Sequence, residues 1–287
     1  MQGRVCLVTG ANRGIGRATA LGLAQMGATV AMLCRDAERG AFACQEVRGE
    51  SGNERVSLVV IDLASLESIR SAAAEIERRF PSVHVLINNA GVNHSRRTMT
   101  ADGFEMTFAV NHLGPFLLTS LLLPRLRAGA PSRIINVTSV FERLGRVAFK
   151  DLHAYRRYSA LRAYTQSKLA TVLFTYELSE RLRGTGVTVN CVSPGLVATD
   201  LLRDRFWWSH GLLRKVWNKL LLTPERAAGV LVHLAATPEM SSVTGQCFNS
   251  RARPMRTSRI SYSVEKREQL WRVSAQLTGA GATDTGF

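Results

Sequence analysis

The sequence predicts one α/β domain built around an open, doubly wound sheet of seven mostly parallel strands with helices on both faces. Three observations predict it. Short runs rich in Val, Ile and Leu alternate with longer segments of helical period. Those runs are almost continuously apolar, as strands buried on both faces are. A glycine cluster stands between the first run and the first helical segment, near the start of the chain. No repeat, linker or composition break divides the 287 residues. One domain is therefore expected over 1–287, with a first half to about 130 and a second over about 131–250. An inserted segment is expected at 200–222 and a polar tail at 251–287.

Taken in order, strand 5–9 runs into the glycines and then helix 14–26. Strand 29–34 ends at Arg35-Asp36, where Asp36 can cap helix 37–49. Strand 56–61 is followed by Asp62 and helix 65–79, and strand 83–88 by Asn89-Ala90-Gly91. A helix is expected over 101–127, then strand 133–138 closing on Ser139, helix 159–183 and strand 187–192 leading into Pro194-Gly195. Thr223-Pro224, a cap residue followed by proline at the first helical position, opens helix 224–236. Strand 246–249 completes the sheet.

Hydrophobic residues make up 46% and charged residues 21% of the chain, which excludes a disordered protein. Lys and Arg number 37 against 22 Asp and Glu, a formal charge of +15. Such a charge raises nucleic acid, an anionic membrane or a phosphorylated ligand as partners. Its distribution narrows the choice. Residues 143–168 carry seven cations and one acid, 203–226 six and two, and 251–259 four and none. The excess thus gathers in the second half, and no nucleic-acid motif accompanies it. Cys6, Cys34, Cys44, Cys191 and Cys247 form no CxxC pair and no metal-ligand spacing. They read as small buried hydrophobes in a reducing, intracellular setting, and no metal is expected. The most apolar stretch, 116–123, is too short to span a bilayer, and no signal peptide is evident. The expected location is cytoplasmic or peripheral to a membrane, without a transmembrane anchor.

Thr9-Gly10-Ala11-Asn12-Arg13-Gly14-Ile15-Gly16 follows the first strand. Glycines at 10, 14 and 16 permit a tight turn, close approach of a pyrophosphate and tight helix–strand contact, with helix N–H groups facing the anion. Arg35 ends the second strand, where an acid would select the NAD ribose; with Arg13 it could clamp a 2′-phosphate. NADP(H) is therefore favoured over NAD(H). Asp62 could accept from an adenine amine or cap the helix near Ser65. Asn89, Ala90 and Gly91 place small residues and amides against the same ligand.

Tyr164 and Lys168 stand four residues apart, on one helix face. The ammonium is expected to favour phenolate and pull the tyrosine pKa toward working pH, making it a general acid/base. Neither Tyr155 nor Tyr158 has a lysine at that spacing. Ser139, at a strand's carboxyl end, could polarise a carbonyl. Asn111 is either a satisfied core amide or the holder of a water relaying protons from Lys168, and His112 reads as structural. No GxSxG elbow supports a hydrolase.

Together these motifs resemble the short-chain dehydrogenase/reductases, and among them the retinol dehydrogenase-like branch, over about residues 3–280. The 25-residue interval from Ser139 to Tyr164 resembles an insertion of that branch. Two features depart from it: the chain starts almost directly at the first strand, and Pro115 stands where many members have histidine. The resemblance implies a Rossmann-type fold, NADP(H), and a catalytic tetrad of Asn111, Ser139, Tyr164 and Lys168. It implies cofactor contacts from Thr9, Gly10, Asn12, Arg13, Gly14, Ile15, Gly16, Arg35, Asp62, Leu63, Asn89, Ala90, Gly91, Tyr164, Lys168, Pro194, Gly195, Val197 and Thr199. Ser139 and Tyr164 would meet the substrate, a retinoid or another lipophilic aldehyde, ketone or alcohol. The competing reading is a non-catalytic NADP(H)-binding sensor or scaffold. Segment 206–222 interleaves Trp207, Trp208 and Trp217 with Arg214, Lys215 and Lys219, which suits either a lid or a peripheral membrane contact.

Overall fold

The structure, a computed structural model, describes residues 1–195 and 222–280. Strands β1 (Val5–Thr9), β2 (Thr29–Cys34), β3 (Val56–Val60), β4 (Val85–Asn88), β5 (Ser132–Val137), β6 (Val187–Val192) and β7 (Cys247–Phe248) form one sheet. Their order is β3-β2-β1-β4-β5-β6-β7, and every pairing is parallel. The order reverses between β1 and β4, so a crevice opens at the carboxyl ends of these two strands.

Helices α1 (Gly14–Gln25), α2 (Ala37–Ser51) and α7 (Pro224–Ala236) cover one face. Helices α3 (Leu66–Arg79), α5 (Gly114–Ala128) and α6 (Ala160–Arg181) cover the other. Gly22 lets α1 and α7 meet closely, since a Cβ there would lie 2.9 Å from Val232 Cγ2. The strand runs are mostly apolar because both layers cover them, and every residue of β6 is buried.

The helix expected over 101–127 begins later. Residue Glu105 caps α4 (Met106–Phe108), its carboxylate accepting from the N–H groups of Thr107 and Phe108. Upstream, Met99 and Glu105 form an antiparallel bridge instead. After α4 the chain makes a π-helical turn, Ala109–Leu113, and continues as α5. The unbroken run Met106–Ala128 is long and apolar enough to cross a membrane, which the short stretch 116–123 did not suggest. Of its most apolar 18-residue window 89% is buried, which shows what that composition serves here: it is a core helix.

The C-terminal tail carries a helix. It closes on α8 (Val264–Thr278), capped by Ser263 and ended by Gly279 in the left-handed region. Leu270 and Trp271 of α8 are buried, Trp271 packing edge-on to Phe116 at 5.0 Å and stacked on Phe174 at 6.0 Å. All five cysteines are buried free thiols.

Candidate active site

Gly10 and Gly14 adopt positive φ, +65° and +56°, as the turn after β1 demands. A Cβ on Gly16 would lie 2.3 Å from Gly10 O and 2.6 Å from Asn89 Nδ2, so the cradle tolerates no side chain there. Helix α1 has no side-chain cap from Arg13 and no acid in its first turn, leaving N–H groups for an external anion. The turn is stitched to β4. The Thr9 hydroxyl accepts from the N–H groups of Asn89 and Ala90, each at 3.0 Å, and Asn89 Nδ2 donates to Thr9 O at 2.9 Å. A dinucleotide's pyrophosphate fits this geometry.

On the β2 side, Asp36 caps α2 by accepting from Arg39 N at 3.0 Å. It also faces Arg39 Nε at 3.5 Å. Asn12 and Arg13 share a groove with Glu38, Arg39, Phe42 and Glu46, and Arg35 stands exposed just past the end of β2. Arg39 was not anticipated; its place one turn past Asp36 was the available signal. Burial pushes the thiol of Cys34, at the end of β2, up to about 12.

Asp62 caps no helix: Ser65 caps α3, while Asp62 Oδ1 accepts from Ala64 N at 2.9 Å. Leu63 lies behind it, its carbonyl 2.6 Å from where a Gly114 Cβ would sit. Gly91 faces inward; a Cβ there would be 3.5 Å from Lys168 Nζ and 3.4 Å from Asn111 Oδ1.

Tyr164 and Lys168 lie on α6 beside the end of β5. Lys168 is 4% exposed, donates from Nζ to Val137 O at 3.0 Å, and stands 5.7 Å from the Tyr164 ring centre. The Ser139 hydroxyl stands near enough to the Tyr164 phenol to favour its charged form. Ser139 starts the 3₁₀ turn Val140–Leu144, in which Phe141 meets Tyr164 edge-on. Burial lowers the Lys168 pKa to about 8. The expected lowering of the tyrosine pKa is not found: burial raises it, and the neighbouring Ser139 hydroxyl only partly opposes that. The Lys168 ammonium, 5.7 Å from the ring centre and itself desolvated, does not reverse the effect.

Asn111 is a satisfied amide. Its Oδ1 accepts from Val92 N at 2.8 Å, and its Nδ2 donates to Val92 O and Ser167 Oγ, both at 2.9 Å. It pins the loop after β4 to α6 from the π turn. His112 is structural, with Nε2 against Ser274 Oγ at 2.7 Å. Pro194 and Gly195 follow β6, Gly195 at φ +90°. Val197, Thr199 and 206–221 lie outside the described residues. Among the described residues, no three His, Cys, Asp or Glu side chains stand together as a metal site.

A switch-point crevice with a glycine cradle on one side and a tyrosine–lysine pair on the other defines a nicotinamide-dependent oxidoreductase. A profile of the short chain dehydrogenase family matches residues 4–209. Human retinol dehydrogenase 13 is 45% identical over 98% of this chain and 86% of its own length. Mouse retinol dehydrogenase 11 is 41% identical over 97% of this chain and 87% of its own. Among solved structures, an uncharacterized protein from Mycobacterium Paratuberculosis superposes with a TM-score of 0.80 at 33% identity, covering 97% of this chain and 94% of that one. The Pseudomonas aeruginosa RhlG/NADP complex gives 0.71 at 27% identity, covering 87% and 95%. The chain belongs to the short-chain dehydrogenase family, in its retinol dehydrogenase-like branch, and is an oxidoreductase acting on CH–OH groups.

Proposed function

We propose that the protein interconverts a lipophilic aldehyde or ketone, such as retinal, with its alcohol, using NADP(H) in preference to NAD(H). The observation that carries the chemistry is Tyr164 and the buried Lys168 on one face of α6, beside the turn that Ser139 opens after β5. The bound nicotinamide supplies or accepts the hydride. In reduction, Tyr164 Oη gives its proton to the substrate oxygen while the Ser139 hydroxyl donates to that oxygen as charge develops on it. Lys168, fixed by Val137 O, supplies positive charge beside the phenol as it loses its proton. Asn111 holds the β4 loop and α6 in register, keeping Gly91 and Lys168 at their spacing. In oxidation Tyr164 accepts the proton. Tyr164→Phe is expected to abolish NADPH consumption with retinal and medium-chain aldehydes, and retention of most of that activity overturns the assignment.

The preference for NADP(H) rests on Arg13 and Arg35 at the turn and the β2 end, with Asp36 committed to capping α2. Replacing both arginines by Ala should raise the KM for NADPH far more than that for NADH. The relatives' names support a retinoid-like substrate. The tryptophans and cations of 206–222 support peripheral contact with the membrane that would hold it, and deleting that stretch should abolish retention on anionic liposomes.

A further inference from the structure

We propose that Glu142 is a positioning residue for Ser139, held in place by the C-terminal segment through the backbone of Ser258. The inference rests on Ser139 acting on the substrate oxygen as described above. Glu142 lies three residues past Ser139 and is 1% exposed. A carboxylate that deep needs partners, and two come from a remote part of the chain or beside it. Its oxygens accept from Ser258 N at 3.0 and 3.3 Å, and Arg143 Nε stands 4.0 Å away.

The turn carrying Glu142 is the turn that begins at Ser139. Glu142 N donates to Ser139 O at 3.0 Å, Gly145 N donates to Glu142 O at 2.9 Å, and Arg143 Nη2 reaches Arg256 O at 2.6 Å. The segment on the far side is itself moored to α6, the helix of Tyr164 and Lys168. Tyr176 Oη meets Thr257 Oγ1 at 3.0 Å, Thr257 Oγ1 meets Ser261 Oγ at 2.6 Å, and the Tyr176 and Tyr262 rings stack at 5.6 Å. The Ser139 turn is thus referenced to α6 locally, through Thr138 Oγ1 donating to Lys168 O and Phe141 against Tyr164, and remotely through Glu142, Ser258 and Tyr176. The remote route sets which way the Ser139 hydroxyl faces. In that arrangement Ser139 Oγ accepts from Phe141 N at 3.4 Å, within the same turn, which leaves its O–H to donate.

A double-mutant cycle tests this with purified full-length protein, NADPH and a medium-chain aldehyde. Glu142→Ala should lower kcat by roughly tenfold to a hundredfold, the scale of a misplaced catalytic group, and leave the KM for NADPH within about twofold. In a Ser139→Ala background the same change should cost almost nothing further, because its effect passes through that hydroxyl. Glu142→Gln, which keeps an acceptor for Ser258 N, should restore most of the rate. Should Glu142→Ala not fold, Glu142→Asp, which draws the acceptor back by one methylene, enters the same cycle. Equal losses in both backgrounds, or a lowered melting temperature with kcat unchanged, would overturn the proposal. A Ser139→Ala protein of full activity would instead overturn the role given to Ser139 itself.

Discussion

At Tyr164 and Lys168 the same burial acts on both groups and disfavours both charges. It raises the phenol's pKa and lowers the ammonium's to about 8, from an ordinary 10.5. The folded protein therefore carries Lys168 as a strained cation at neutral pH, a condition that serves the reaction and costs stability. The sign follows from proton counting. Between pH 8 and 10.5 the unfolded chain holds the lysine proton more tightly than the folded one, so stability from this group rises with pH across that window. Lys168→Met removes the ammonium and also leaves Val137 O without its donor, a smaller loss. At pH 7 the variant should be more stable than the parent by about 2 kcal/mol while its activity falls at least about a hundredfold. The stability difference should shrink as pH rises toward 10. Urea unfolding at pH 7 and 10 checks it, and a difference independent of pH would count against a buried charged lysine.

The π turn between α4 and α5 brings two neighbouring residues to opposite tasks: Asn111 faces the site and His112 the core. His112 lies among Phe108, Phe116 and Phe174, with ring centres 5.1, 6.2 and 6.1 Å away, and its bond to Ser274 ties this turn to α8. Burial lowers its pKa to about 3. As pH falls below 6.5 the unfolded chain takes up this proton and the folded one does not, so the group's contribution is present above 6.5 and drains away toward 3. Its share of the slope is about 1.4 kcal/mol per pH unit. His112→Gln should flatten the dependence of stability on pH between 6 and 4 by that amount, as read from denaturant midpoints across the range. An unchanged slope would mean that His112 charges in the folded state. The sequence shows His112 as structural but hides the π turn, because a turn with one extra residue leaves the apolar pattern of 106–128 intact. It hides α8 for a related reason. Only Leu270 and Trp271 are large apolar residues buried on that helix, and the buried Ser274 makes sense only once His112 is opposite it.

Across the whole molecule, the sheet was legible because its runs must be apolar on both faces, and the glycine turn because no other residue fits Gly16. Tyr164, Lys168 and Ser139 were legible from spacing and position at strand and helix ends. Glu142 was not, since an acid beside arginines reads as surface charge until Ser258 covers it. Nor was the reach of the C-terminal segment, which touches α5, α6 and the turn after β5 from far along the chain. If that segment is part of the folding unit, weakening its main anchor weakens everything at once. Trp271 is 8% exposed, packs on Phe116 and Phe174, and carries Arg181 over its ring at 4.3 Å. Trp271→Ala should then cost about 3–5 kcal/mol with the denaturant m-value unchanged, because the same surface is exposed in one step. A reduced m-value, or an early transition of its own, would mark α8 as an appendage that detaches first. In that case the link from Ser258 to Glu142 should loosen with it, and Trp271→Ala would lower kcat at denaturant concentrations where the sheet is still folded.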